Sequence, residues 1–267
     1  MTATQVDGSG IVEGALWNAA ADDWATLMEP QGRRLFDAVL GCGLFTPGAR
    51  VLDAGCGSGL FAQLIAARGC DVIGLDTSES LLTIARRRSP GVPFHHGDLE
   101  ALPFPDEHVD IVAGIDSFQY ETDPPRAAAE ARRVTRPGGH VIIATWGLPY
   151  ACEAAAYVSA LEPLLPAPPA SAPGPFALSE ETALRDLIES AGLTWHSISD
   201  VEVTWQFEDT DTALAAMLST GLSILAIQTS GRDVVAATLE RAIAPYRLAS
   251  GGYRLENRFR FAITTRD

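Results

Sequence analysis

Basic residues are scarce in this chain. Nineteen Lys and Arg stand against 34 Asp and Glu, a formal net charge of −15 and a pI near 4.7. A surface of that sign repels polyphosphate, and nucleic-acid binding needs a basic face, so no nucleic-acid partner is expected. The one basic run, Arg86-Arg87-Arg88, falls at an expected helix end, where positive charge complements the helix dipole. Cysteine is scarce too. Cys42, Cys56, Cys70 and Cys152 form no CxxC pair and share no ligand spacing with the five histidines, so no metal site is expected and the thiols read as reduced, in a cytoplasmic protein. No apolar run approaches the roughly 20 residues that cross a bilayer, and the opening MTATQVDGSG has neither the basic start nor the apolar stretch of a signal peptide. No internal repeat is evident. What remains is an ordinary globular composition, 47% hydrophobic and 20% charged over 267 residues, enough for one large α/β domain with insertions.

Between Arg50 and Gly147, short β-branched apolar runs alternate with helical patterns. Strands are expected at 50–54, 71–75, 92–95, 109–115 and 139–146, and helices at 58–68, 78–88 and 124–135. The last helix opens on Asp123-Pro124-Pro125, a cap followed by proline in the first turn. Arg136-Pro137-Gly138-Gly139 stops it and turns into the fifth strand. Alternating βα units predict a parallel sheet with helices on both faces. Residues 11–46 read as helical and contain Trp17 and Trp24. Leu161 to Pro175 carries six prolines and reads as a surface loop. A helix opens at Ser179-Glu180-Glu181-Thr182 and runs to Ala191-Gly192; Thr194 to Phe207 and Tyr253 to Thr265 alternate as strands, with a helical insertion at about 210–245 between them.

The most informative stretch is VLDAGCGSGLFA, residues 51–62, with glycines at 55, 57 and 59 after an apolar run. Alternate glycines cost conformational entropy and give nothing to a core. A strand feeding such a turn and then a helix is where open α/β sheets take nucleotide-like ligands. The dinucleotide fingerprint is G-x-G-x-x-G, and here the third glycine comes one residue early; a phosphate-binding P-loop would need Gly-Lys-Ser or Gly-Lys-Thr, which is absent. Asp53 also sits inside the strand that the dinucleotide fingerprint keeps apolar.

The spacing D-x-G-x-G-x-G, Asp53 to Gly59, resembles motif I of class I S-adenosylmethionine (SAM) methyltransferases. The resemblance spans roughly 45–147 and is closest to the small-molecule branch of ubiquinone and menaquinone biosynthesis. Leu102-Pro103-Phe104-Pro105-Asp106 followed by Val109-Asp110-Ile111-Val112 carries it, as does Pro137-Gly138-Gly139 before strand five. It implies a doubly wound, Rossmann-like α/β sheet of seven strands, mostly parallel with the last antiparallel, and helical cap insertions at about 148–178 and 208–250 within a domain of 47–267. Residues 1–46 would be an N-terminal helical lid. SAM would be the cofactor and S-adenosylhomocysteine the product. The resemblance further implies that Gly55, Cys56, Gly57 and Gly59 let backbone approach the amino-acid end, while Asp53 accepts from its ammonium. Asp76, followed by Thr77, would bind the ribose hydroxyls, Asp98 the adenine amino group, and Leu99 the ring. Ile115 would lie under the methionine part, and Trp24 would fold over the cofactor.

A sulfonium methyl is already activated, so alignment and exclusion of water carry much of the acceleration, about 7–11 kcal/mol in intramolecular reactions. A general base adds roughly 10²–10⁴-fold. Members of this branch often carry a His pair after strand four, where this chain has Gln119 and Tyr120. Tyr120 and His96 are therefore the candidate catalytic residues, each with a purely structural reading beside it: a packed tyrosine and a strand-end histidine. The expected function is methyl transfer to an O, N or C atom of a small, largely apolar metabolite, in secondary metabolism, by a chain that admits a homodimer. Two alternatives stay open, a SAM-binding relative catalysing a non-methylating cyclisation and a non-catalytic SAM-binding partner subunit.

Overall fold

The computed structural model describes residues 10–166 and 174–267, so the middle of the proline-rich stretch, 167–173, lies outside the described residues. Seven strands form one sheet: β1 (Arg50–Ala54), β2 (Asp71–Asp76), β3 (Phe94–His96), β4 (Val109–Ile115), β5 (Thr135–Trp146), β6 (Thr194–Phe207) and β7 (Tyr253–Thr265). Their order is β3-β2-β1-β4-β5-β7-β6. The first five are parallel, and β7 runs antiparallel to both β5 and β6. Strand order reverses between β1 and β4, the position at which such sheets open a crevice at the strands' carboxyl ends.

In chain order the helices are α1 (Gly10–Asn18), α2 (Ala21–Asp23), α3 (Arg33–Leu40), α4 (Leu60–Ala66), α5 (Glu79–Arg88), α6 (Pro124–Val134), α7 (Ala155–Leu161), α8 (Glu181–Ser190), α9 (Thr210–Leu218), α10 (Gly221–Ser230) and α11 (Arg232–Ile243). Successive side chains of a strand face opposite sides of the sheet, and the core divides accordingly. Leu52, Val112, Val141 and Ile143 pack under α6 and α8, whose facing residues include Ala127, Ala128, Ala131, Leu184 and Ile188. Val51, Ile111, Ala113, Ile142 and Ala144 pack on the other side with α3, α4, α5, α7 and the α9–α11 group.

Several boundaries differ from those read off the sequence, each for a local reason. Helix α4 begins at Leu60 rather than 58, because Gly57 and Gly59 take positive φ, +53° and +79°, outside the helical region. Strand β5 begins at Thr135 rather than 139. Thr135 pairs with Val109 before the ladder slips, and His140 then pairs with Ile111. The expected Pro-Gly-Gly turn is an irregularity within that strand, with Gly138 at φ +71° and its amide donating to Arg266 O at 2.7 Å. Strand β3 is a three-residue edge, and the end of α7 at Leu161 and a short helical turn at Glu162–Leu164 occupy the start of what read as loop. The 11–46 segment is three helices, α1, α2 and α3, the last two joined by a π-turn at Trp24–Met28 and a tighter turn at Glu29–Gly32, and its helical part ends at Leu40. The 210–245 insertion splits into three helices. Thr220 caps α10 by accepting from Ser223 N, and Gly231 at φ +87° breaks the chain before α11.

Candidate functional site

The three glycines of the 55–59 turn all have positive φ, the conformation in which glycine alone escapes a steric penalty. Their roles differ. A Cβ on Gly55 would stand 2.5 Å from Ser117 Cβ, and one on Gly59 would stand 2.8 Å from Ala85 Cβ; both positions press the turn onto neighbouring elements. A Cβ on Gly57 would meet nothing nearer than Glu29 Oε1 at 3.5 Å. Gly55, Cys56 and Gly57 line a cavity of about 400 Å³ at the carboxyl ends of the strands. Gly59 does not line it, so its place in the site is structural.

The turn is held by β2. Gly55 N and Cys56 N donate to Leu75 O at 2.8 and 2.9 Å. Asp76, only 9% exposed, accepts from Gly57 N and Ser78 N, both at 2.8 Å, and its carboxyl also lines the cavity. Asp53 is 1% exposed, and its Oδ2 has no partner within the protein. Burial pushes the Asp53 carboxyl up, and the nearby acids Glu29 and Asp76 add to the effect. Burial likewise raises Asp76, offset in part by its two amide donors. A buried acceptor without a donor costs about 1–3 kcal/mol. Asp53 Oδ2 thus fits a donor-bearing, cationic ligand group.

The N-terminal segment closes the cavity from above. A Cβ on Gly14 would meet Thr77 O at 2.5 Å, so α1 lies directly on the end of β2. Trp17 and Trp24 meet edge to face at 4.8 Å, and Trp17 meets Tyr120 in the same way at 5.9 Å. Arg88 draws the segment onto the glycine turn. Its Nη1 pairs with Glu29 Oε2 at 2.5 Å and donates to Ser58 O at 2.9 Å, and Ser58 Oγ also hydrogen-bonds Glu29. The basic run read from sequence as a complement to the helix dipole therefore contains a bridging residue.

Of the residues singled out from sequence, Asp53, Gly55, Cys56, Gly57, Asp76, Thr77, Leu99, Ile115, Trp24 and Tyr120 all line the one cavity. Asp98 and His96 do not. Asp98 is buried, but its Oδ1 accepts from Glu100 N at 2.8 Å and its Oδ2 from Gly10 N at 3.0 Å; it caps a turn and anchors α1. His96 is exposed at the end of the edge strand β3, with Nε2 3.0 Å from Thr77 O, so it belongs to the outer surface.

Sequence reasoning missed Glu13 and Asp116, which line the cavity with Tyr120, as do Glu121 and Glu29. Asp116 follows β4 in a left-handed conformation, φ +58°, which is uncommon for a non-glycine residue. Burial pushes its carboxyl up to about 7, with Gln119 partly offsetting the rise. Burial also takes Glu13 to about 7, against a hydrogen bond from Trp17. Both carboxyls reach space inside the cavity while protein surrounds them. The signal available in sequence was an acid placed directly after an apolar strand, Ile115-Asp116. For Glu13, in a helix remote in sequence, there was none. Trp146, Tyr157 and Trp205 complete an aromatic wall, Trp146 and Trp205 lying edge to face at 5.5 Å. Burial raises the hydroxyls of Tyr120 and Tyr157 well above the ordinary tyrosine range.

This strand order with one reversed strand, and an acid–glycine turn beside a second acid on β2, is the arrangement expected from the resemblance to class I SAM-dependent methyltransferases. Residues 52–143 match the methyltransferase domain family. The malonyl-[acyl-carrier protein] O-methyltransferase of Serratia marcescens is 40% identical over 124 residues, 46% of this chain and 47% of that protein. The demethylmenaquinone methyltransferase of Renibacterium salmoninarum is 40% identical over 39% of this chain and 44% of its own length. The chain thus spans about half the length of the curated relatives it matches. Among solved structures, the YcgJ protein of Bacillus subtilis superposes with a TM-score of 0.60 at 17% identity, covering 87% of this chain and 98% of that one. The [4+2]-cyclase SpnF does so at 0.57 and 20%, covering 96% and 97%. At these identities the likeness is one of fold.

Proposed function

We propose that the protein transfers the methyl group of SAM to an O, N or C atom of a small, largely apolar metabolite, in secondary metabolism. The observation that carries this reading is Asp53 Oδ2, buried and unpartnered on the wall of a cavity that Asp76 also lines. Asp53 would take the cofactor's ammonium, the backbone from Gly55 to Gly57 its amino-acid end, and Asp76 with Thr77 its ribose. Leu99 would pack on the adenine, and Ile115 would lie under the methionine chain. Trp24 would close the cofactor's side, and residues 10–46 would act as its lid. Asp98 is left out of this set, because its carboxylate is already engaged by two backbone amides.

Bound in that crevice, the cofactor supplies a methyl group on a sulfonium, already activated for displacement. The chain's share of the chemistry is alignment and dryness. The wall of Trp17, Tyr120, Trp146, Tyr157 and Trp205 excludes water and shapes the space for an apolar acceptor. Titration calorimetry tests the cofactor assignment. S-adenosylhomocysteine is expected to bind with a Kd in the micromolar range while NAD shows no heat; binding of NAD alone would overturn it. Methyl-labelled SAM then distinguishes methyl transfer, which labels product, from a cyclisation, which does not.

A further inference from the structure

Part of the cavity wall serves no cofactor group in that reading. Glu13 and Trp17 on α1, Asp116, Gln119 and Tyr120 after β4, Trp146 on β5 and Tyr157 on α7 all face it. Gln119 is fully buried. Its Nε2 donates to Asp116 Oδ1, which leaves its Oε1 as an acceptor with no partner in the protein. Trp17 Nε1 donates to Glu13 Oε2 at 3.1 Å, and its ring rests against Tyr120. The charges of both Asp116 and Glu13 act on the Tyr120 hydroxyl, after burial, so the two acids reach the same ring.

This chamber offers oxygen acceptors and aromatic faces, with the Trp146 indole Nε1 as an unpartnered donor. The chain contains no lysine, and among the described residues no arginine or histidine lines the cavity. An acceptor carrying a carboxylate or phosphate would bury its charge unpaired beside two acids. An alcohol or phenol brings one donor to several acceptors. An ammonium brings three donors and a charge that aromatic faces attract.

Resting on the SAM reading above, we propose that the acceptor is a primary amine on an apolar or aromatic frame, held as its ammonium by Asp116 and Gln119 Oε1 with Glu13 beyond Tyr120, and that Asp116 removes one proton from it. Proton transfer from R–NH₃⁺ to the Asp116 carboxylate leaves R–NH₂ with a free lone pair. That pair forms the nitrogen–carbon bond to the methyl, the carbon–sulfur pair stays on sulfur, and the products are S-adenosylhomocysteine and R–NH₂⁺–CH₃. A carboxyl that titrates near neutrality suits this task, and burial places both Asp116 and Glu13 there. The Asp116 charge also acts on Tyr120 on its own turn and Tyr157 on α7, and Glu121, directly after that turn, lines the cavity as well.

Calorimetry on protein saturated with S-adenosylhomocysteine, with three probes of one skeleton, tests the inference at pH 8: tryptamine, tryptophol and indole-3-acetate. Tryptamine is expected to bind at least tenfold more tightly than either of the others. Asp116→Asn is expected to weaken tryptamine at least tenfold, leave tryptophol within twofold, and leave S-adenosylhomocysteine within twofold, which also verifies the fold. If that variant does not fold, Glu13→Gln is expected to weaken tryptamine at least threefold. Equal affinity across the three probes, preference for the alcohol or the acid, no detectable tryptamine binding, or a variant with unchanged tryptamine affinity each overturns the inference. Failure of S-adenosylhomocysteine itself to bind overturns the cofactor reading instead, so the two failures are distinct.

Discussion

The two halves of the cavity are built differently. The half beside β1 and β2 is made by one continuous turn and the next strand end, with backbone amides and two carboxylates at its centre. The half beneath α1, α7 and α10 is made by side chains from segments up to two hundred residues apart, among them Glu13, Asp116, Tyr157 and Thr220. A site made of backbone is set by local chain geometry and by the strand that holds it, here Leu75 O and Asp76 of β2. A site made of side chains depends on how separate helices pack, and its chemistry can change without touching the sheet.

Substitutions that separate the halves sharpen this contrast. The largest effect is expected from Gly55→Ala. A left-handed alanine costs roughly 1–2 kcal/mol, and the clash with Ser117 at 2.5 Å adds an overpacking cost of about 1–3 kcal/mol. Chemical denaturation should show a loss within the sum of those ranges, together with loss of S-adenosylhomocysteine binding. A stable Gly55→Ala that binds normally would mean that the turn is not rigid. Next comes Asp76→Ala. Each hydrogen bond to a charged group is worth about 1.5–3 kcal/mol, so calorimetry is expected to show S-adenosylhomocysteine weakened by about tenfold to a hundredfold. Unchanged affinity with an intact fold would remove Asp76 from the site.

On the acceptor side, the expected signature is in pH. Asp116 is raised from 3.8 to about 7, so below pH 4 it is neutral in both folded and unfolded chains. Between about 4 and 7 the folded protein holds the proton that the unfolded chain has released, and stability falls as pH rises through that window. Asp116→Asn is neutral throughout, so the Tm of the ligand-free variant should exceed that of the parent at pH 8, with the gap closing by pH 4; each kcal/mol corresponds to about 2–4 °C in a domain of this size. A constant gap across that range would place the titration elsewhere. Arg33→Ala should have the smallest effect. The Arg33–Asp37 pair is more than half exposed on both sides, and such pairs contribute about 0–1 kcal/mol, so neither half of the cavity should respond in stability or ligand affinity.

The same contrast governs how much was legible beforehand. Asp53, Gly55, Gly57 and Asp76 could be read from spacing, because a strand, a turn and the next strand end are local matters. Gly59 could be read as part of the motif but not as a packing residue, since Ala85, its neighbour in space, lies on the next helix. Asp98 was assigned to the adenine by resemblance, and His96 stood as a candidate catalytic residue at a strand end. The direction of a side chain at the end of a three-residue edge strand is set by what comes to meet it: Gly10 N for Asp98 and the Thr77 carbonyl for His96. The helical insertion at 210–245 was visible as apolar, yet its breaks at Thr220 and Gly231 decide which residues reach the cavity.

The order of apolar runs and glycines along the chain, by itself, determined a doubly wound sheet with an acid-flanked turn at its crossover, because strand period, turn conformation and capping act over a few residues. Only the tertiary structure decided that Glu13 and Asp116 share one chamber that, among the described residues, no arginine or histidine lines. Burial and the meeting of distant helices set their ionisation, and neither is written in local spacing.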